Sequence, residues 1–303
     1  MWPNRNLNDI FCIDTSRHVG TELDLAVESI LDRDSYDAYY HLACLIYEEI
    51  SSIPNDNTLG HSFFRFTRLP VLNRGKVDER KPVIDDIRNQ ALTFSNPSLF
   101  NDPMDPIIRE WVKWKRESVG SSREQKLFNH LKKSLDNIRI CCLSINHLRG
   151  IESMHLNPLM WAHYADMHKG VCLEYEITEE MLANHNDKDH VLRVSKVRYR
   201  DRKVMSDYIT LDNALLAKGS CWEYEHESRL IYYSKEEASV GRKIDNYVSL
   251  AGFRIIAVYL GYRISDEDKR DVIAAAMSRG INVYQVRFDR NDITSLTTDS
   301  VLL

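Results

Sequence analysis

The sequence has little of what would take it out of the globular class. Glycine (11) and proline (8) are scarce in 303 residues, which excludes a collagen-like repeat and makes long flexible linkers unexpected. No apolar run approaches the ~18 residues a spanning helix needs. The longest, such as Ile255 to Leu260, are strand-sized. The opening residues, Met1 to Asn6, lack the apolar core of a signal peptide, so a cytoplasmic protein with no membrane partner is expected. A basic excess is missing too. At a net charge of -5, any nucleic-acid partner would need a local basic groove. The six cysteines contain no C-x-x-C pair, which leaves a zinc site or redox dithiol without support and reads as reduced thiols. P-loop, G-x-G-x-x-G, H-E-x-x-H and G-x-S-x-G signatures are all absent.

What is present is a chain with 43% hydrophobic and 10% aromatic residues, enough for one large domain or two small ones. Residues 21–52 read as two helices, the second starting at Asp34-Ser35 with Tyr39, Leu42, Ala43, Ile46 and Tyr47 on one face. The polar stretch Ser51 to Gly60 breaks the pattern. We place a boundary there, with residues 1–57 an N-terminal helical segment and 58–303 the main domain. The alternative is that these helices pack onto that domain. Beyond it, short apolar strands outnumber the helices between them and cluster late, as in an α+β fold. Strands are expected over 61–69, 92–95, 138–145, 171–177, 191–199, 228–234, 253–261 and 282–289. Helices are expected within 104–136 and over 157–167, 206–219 and 265–279.

Four clusters mix aromatic with polar residues where a plain core would be aliphatic. In Phe63-Phe64-Arg65-Phe66-Thr67-Arg68, strand alternation separates Phe64 and Phe66 from Phe63, Arg65 and Thr67. Arg65 could hold a phosphate or carboxylate, or make a surface salt bridge. In Thr93-Phe94-Ser95, two hydroxyls share a strand face. Downstream, Asn101-Asp102-Pro103 reads as a helix start, with Asp102 as cap. In the segment from Pro158 to Glu174, Met160 and Tyr164 share a helix face and Trp161 lies on another. His163 and His168 read as structural. In Trp222-Glu223-Tyr224-Glu225-His226-Glu227-Ser228-Arg229, acids crowd the entrance of a strand. Glu223, Glu225, Glu227 and Arg229 would share a face if the strand extended back that far. Like charges so placed are unfavourable without a purpose or a cationic partner. One purpose is to stabilise an oxocarbenium-like transition state; the bland alternative is an acidic turn with Arg229 pairing Glu227. Trp222 is expected to be buried.

The clusters in this order resemble the bacterial domain-of-unknown-function family 2971, often linked to abortive-infection defence. The resemblance runs over about residues 61–261, through Phe64-Arg65-Phe66, Phe94-Ser95 to Phe100-Asn101-Asp102-Pro103, Met160-Trp161-Ala162-His163-Tyr164 with His168-Lys169-Gly170, and Trp222 to Arg229. More distantly, a basic residue on a first strand, a serine strand and a late E-x-E resemble ADP-ribosyltransferases, although Thr93-Phe94-Ser95 departs from Ser-Thr-Ser. That resemblance implies a split β-sheet core with peripheral helices. It implies NAD as substrate, gripped by Arg65, with Ser95 shaping the nicotinamide pocket; Trp161 or Tyr164 is expected to stack on or wall the nicotinamide, with Thr93 and Arg229 also at the NAD site. Glu227 would stabilise the ribosyl cation and Glu225 would orient or deprotonate the acceptor.

The expectation is therefore an ADP-ribosyltransferase toxin of a bacterial defence or toxin–antitoxin system, needing no metal. Its acceptor would be nucleic acid or protein. The basic residues Arg193, Lys196, Arg198, Arg200, Arg202 and Lys203 favour RNA, unless they are only a solvated strand edge. A toxin acting in its own cytoplasm implies an antitoxin or inhibitor protein. Two rivals stay open. One is a non-catalytic sensor or partner-binding module, the other a metal-dependent nuclease using Glu225, Glu227 and a histidine.

Overall fold

In a computed structural model, the structure describes residues 35–56, 59, 61–69, 71–73, 76–78, 82–100, 102, 105–106, 108, 122–146, 154–200, 210–236, 246–292 and 295–301. The expected helix within 21–34, the Trp111–Trp114 helix and the basic residues Arg202 and Lys203 lie outside them. The described residues form an α+β fold around one ten-stranded mixed sheet.

Helix α1 (Ser35–Ser52) leads into strand β1 (Ser62–Thr67), a hairpin of β2 (Val71–Asn73) and β3 (Lys76–Asp78), and helix α2 (Pro82–Asn89). Strand β4 (Ala91–Ser95), helix α3 (Ser122–Leu135) and strand β5 (Arg139–Ile145) follow. Helix α4 (Pro158–Tyr164) starts with Asn157 as cap and Pro158 at its first position, where a missing N–H costs nothing. Next come β6 (Val171–Glu176), α5 (Glu179–Ala183), β7 (His190–Lys196), β8 (Arg198–Arg200), α6 (Leu211–Leu216) and β9 (Ala217–Gly219). The helix expected over 206–219 is thus a six-residue helix capped by Thr210 that passes directly into β9.

A 3₁₀ turn (Ser220–Glu225) precedes β10 (Glu227–Ser234), whose eight residues are all buried, as in a strand covered on both faces. Strands β11 (Tyr247–Ala251) and β12 (Arg254–Leu260) come before helix α7 (Asp266–Met277). Ser265 caps α7, three acids fill its first turn, and Gly280 at φ +66° follows it. Strands β13 (Asn282–Phe288) and β14 (Leu296–Ser300) complete the sheet. β12 and β13, joined through α7, form its one parallel pair. The hairpin β2–β3, helix α2 and strand β11 were not anticipated from the sequence; each is short.

The sheet forks at β5. Ser144 of β5 pairs with Phe64 of β1 and with Glu227 of β10, and Ile140 of β5 pairs with Ser95 of β4 and with Ile231 of β10. One edge of β5 is therefore lined by β10, and the other by β4 near its start and β1 near its end. The pleat assigns side chains to faces. Phe63, Cys141, Leu143, Leu173, Leu230 and Tyr232 point into one large apolar cluster roofed by α2 and α7. The opposite face carries two clusters. One packs Leu42, Ala43, Ile46 and Ile50 of α1 against Ile140, Ile231 and Tyr233. The other gathers Phe64, Phe66, Met160, Trp161 and Tyr259. The candidate site lies on the seam between these two.

Candidate functional site

Glu225 and Glu227 reach the same place by different routes. The strand does not extend back to Glu223: the chain is a 3₁₀ turn up to Glu225, and His226 adopts the left-handed conformation at φ 44°. That kink turns Glu225 inward beside Glu227, the first residue of β10, while Glu223 stays exposed. Arg229, two residues along the same strand face, follows Glu227 inward. The backbone N–H of Glu227 donates to the Tyr199 hydroxyl on β8 at 2.8 Å.

Five ionisable side chains meet here, all buried: Asp105, Lys218, Glu225, Glu227 and Arg229. Arg229, at 0% exposure, donates through Nη2 to both oxygens of Asp105 at 2.6 and 2.7 Å, and through Nε to Glu227 at 2.7 Å. Its Nη1 donates to the Leu215 carbonyl. The Lys218 ammonium on β9 stands where the three carboxylates converge: it bonds Glu225, reaches Glu227 at 2.8 Å and lies 3.3 Å from Asp105. The Tyr164 hydroxyl on α4 donates to the other oxygen of Glu225 at 2.5 Å.

The electrostatics divide the two glutamates. Burial opposes ionisation of both. At Glu227 the adjacent Arg229 and Lys218 outweigh it, and its carboxyl is held at about 2. At Glu225 burial, reinforced by the neighbouring Glu227 carboxylate, wins over Lys218, and its proton affinity rises above the ordinary glutamate value. Three carboxylates face two cations, so one negative charge is uncompensated when all ionise, and Glu225 is the group that gains from taking up a proton. Lys218 is held ammonium against its burial by the acids around it.

The cluster borders a cavity of about 80 Å³. Phe64 and Phe66 of β1, Phe100, Met160 and Tyr164 supply its apolar walls; Cys142, Ser144, Asp105, Lys218 and both glutamates supply its polar ones. Pockets that enclose a whole drug-sized ligand measure ~300–1,000 Å³, so this one takes a ring-sized fragment.

Other expected site residues lie elsewhere. Arg65 shares its strand face with Phe63, away from Phe64, Phe66 and the cavity, so it cannot act there. Its guanidinium pairs with Asp86 of α2 at 3.0 Å. The Thr93 hydroxyl also donates to Asp86, at 2.8 Å, and Ser95 reaches the Ile140 carbonyl at 3.5 Å. Neither lines the cavity. Trp161 is a core residue, fully buried, donating to the His155 carbonyl at 2.7 Å and packed edge-on against Phe66. Arg229 is at the site, but both its ion-pair partners are protein carboxylates. Trp222 is half-buried rather than buried, its ring 5.4 Å from the Lys218 ammonium.

The basic run is largely engaged internally. Arg193 donates to the Ser51 and Leu192 carbonyls, Lys196 pairs with Asp56 and Arg198 with Asp212, and Arg200 donates to Asn213. Among the described residues, no three His, Cys, Asp or Glu side chains are arranged to hold a metal ion. At the cavity the point where three carboxylates could share a cation is taken by Lys218. Sequence reasoning missed Lys218 altogether, and gave Asp105 no role. An acid pair that needs a cationic partner was the available signal.

Residues 160–230 match the family model described as a protein of unknown function (DUF2971). The matched stretch holds Tyr164, Lys218, Glu225, Glu227 and Arg229; Asp105, Arg65, Thr93 and Ser95 lie before it. No curated protein and no solved structure matches the chain. Among the described residues, no helix is long and apolar enough to cross a membrane.

Proposed function

We propose that this chain cleaves the N-ribosidic bond of NAD and transfers the ADP-ribosyl group to a nucleic-acid or protein acceptor. One observation carries the reading: two buried glutamates converge on one cavity, where three carboxylates meet only two cations. Surroundings that favour the proton on Glu225 and the charge on Glu227 let such a pair divide into a proton carrier and a fixed anion. In the proposed step the bond from ribose C1′ to the nicotinamide nitrogen breaks, and its electron pair leaves with nicotinamide. With Glu225 ionised the cluster carries one uncompensated negative charge, and this charge beside Glu227 lowers the energy of the developing ribosyl cation. The acceptor's oxygen or nitrogen then bonds C1′, and Glu225 takes the acceptor's proton. The donor set fits the ribosyl ring, whose hydroxyls can bond carboxylates. It does not fit the pyrophosphate, because Lys218 and Arg229 are already engaged, so the rest of the dinucleotide would lie outside the cavity. In the cell such an activity would make the chain a growth-arresting toxin of a defence or toxin–antitoxin system, restrained by an antitoxin.

The test is single-turnover nicotinamide release from NAD. Glu227→Gln keeps the shape and removes the charge. Release should slow by roughly 10²–10³, equivalent to ~3–4 kcal/mol, while NAD affinity changes far less. Glu225→Gln should depress transfer more than hydrolysis. No release by the wild type, or equal release by a folded Glu227→Gln variant, overturns the reading in favour of a partner-binding module.

A further inference from the structure

The wall of the cavity is uneven in charge and in chemistry. Three carboxylates and one ammonium line it, and the Arg229 guanidinium bonds two of those acids. Neither cation has a donor to spare. Lys218 reaches Glu225, Glu227 and Asp105. Arg229 donates to Asp105, Glu227 and the Leu215 carbonyl. Basic residues of other strands are committed elsewhere: Lys196 to Asp56, Arg198 to Asp212, and Arg65 to Asp86 on the other face of the sheet. Among the described residues, no third cation pairs with the cavity's acids.

Most of the remaining wall is aromatic: Phe64, Phe66, Phe100 and Tyr164, with the Met160 thioether beside them. Aromatic rings attract a cation through their quadrupole, the more so where water is displaced. A hard metal ion does not suit this surface. Such ions take about six oxygen ligands, and the point where the carboxylates converge is held by the Lys218 ammonium. An anion would meet three acids. A neutral ring would fill the volume and leave the charge uncompensated.

We propose that the cavity is a receptor for a ring-sized organic monocation. Its charge completes the balance while Glu225 is ionised, so cation and proton compete and binding the one releases the other. Glu225 is faced by Lys218 from β9, Tyr164 from α4, Glu227 from β10, Tyr199 from β8 and Tyr224 of its own turn. Burial keeps the three tyrosines as phenols, and the surrounding acids keep Lys218 as ammonium, which leaves Glu225 to change charge. His163, exposed and with its ring 6.3 Å from that of Tyr164, is a further titratable neighbour. For NAD the receptor adds a specificity. The positive charge of NAD sits on the nitrogen joined to C1′, next to the ribosyl ring, and in NADH that nitrogen is neutral. The site therefore takes the oxidised dinucleotide and refuses the reduced one. Only this step rests on the functional reading; recognition of the cation stands without it.

The experiment is a calorimetric titration of the full chain with nicotinamide methylated at its ring nitrogen, a pyridinium cation, and with nicotinamide, its neutral counterpart. The cation should bind at least about tenfold more tightly. Its affinity should rise with pH until Glu225 is ionised and then level off, and the heat should depend on the buffer's ionisation enthalpy as the proton is released. Glu225→Gln, checked for an intact melting transition, should bring the cation's affinity down toward that of nicotinamide and abolish the proton release. NAD should bind at least about tenfold more tightly than NADH. Equal affinity for cation and nicotinamide, no binding of either, or displacement of the cation by magnesium ion overturns the receptor. A pH slope that persists in folded Glu225→Gln moves the titration to another group, His163 first, and overturns the exchange. Preference for the cation without cleavage of NAD refutes the catalytic reading alone; cleavage of NAD without that preference refutes the receptor alone.

Discussion

Two charge clusters sit on the same sheet, one partly and one fully buried, and they are built to opposite plans. At Asp86 one carboxylate meets one guanidinium and the hydroxyls of Thr93 and Ser249. Charges cancel, and none of these residues lines the cavity described above. At Glu227 three carboxylates meet two cations beside an open volume, and one glutamate is pushed toward its neutral form. A balanced, partly buried pair is an ordinary structural device. An unbalanced one is a standing cost, because removing charges from water is not repaid in full even by good partners. The comparison therefore separates a clamp that ties α2 to β1 and β4 from a site with chemistry left to do.

The comparison breaks most visibly at Arg229. Arg229→Met leaves Asp105 and Glu227 buried with only Lys218 between them, and should cost ~3–5 kcal/mol in chemical denaturation. A loss below ~1 kcal/mol would mean the cluster is hydrated and not buried. Acid sharpens the contrast next. The folded-state value of Glu227, about 2, lies below its ordinary 4.5. Its ionisation therefore stabilises the fold above pH 4.5, and this is lost as pH falls through 2, on the order of 3 kcal/mol in all. Glu225 has the opposite sign: its raised value favours the fold below its ordinary pKa, and that contribution is lost as pH rises through the folded value. Melting curves against pH should show Glu227→Gln flattening the acid limb and Glu225→Gln removing the loss above it. The smallest change belongs to the clamp. Arg65→Met should cost ~1–3 kcal/mol by leaving Asp86 short of a donor, with nicotinamide release per folded molecule unchanged. A folded Arg65→Met protein with weakened NAD affinity would return Arg65 to the site.

What the sequence made legible follows from distance along the chain. The acids at 225 and 227 and the arginine at 229 are neighbours, so their proximity needed only local geometry, although the strand that was to align them proved to be a turn ending in left-handed His226. Tyr164 and Met160 fall on one helix face by spacing alone, and both line the cavity. Asp105 stands 124 residues from Arg229, and no periodic signal joins them. Lys218 sits in a three-residue strand formed where a helix was expected, so the cation the acids required went unseen. Arg65 was misplaced for the converse reason. Its aromatic flanks suggested a ligand, but alternation sends them to the opposite face, and only the sheet's neighbours reveal which face holds the cavity. The α+β class was readable because it depends on the number and order of elements. The fork at β5 was not, because pairing partners are set by long-range contacts.

Strand β1 lies between β5 and β6 in a single register, with Phe64 opposite both Ser144 and Glu174. A slip of one residue would exchange its two faces. Arg65 would enter the seam beside Lys218 and Arg229, while Phe64 and Phe66 would be driven against Asp86. The neighbouring chain resists that slip at both ends of the strand. Ser62 bonds Glu174 at 2.5 Å at one end. At the other, Gly170 lies so close to the Thr67 carbonyl that a Cβ would sit 2.2 Å from it. The sign of the charge presented to the cavity is thus a matter of strand alignment, held by a serine and a glycine that take no part in the proposed reaction.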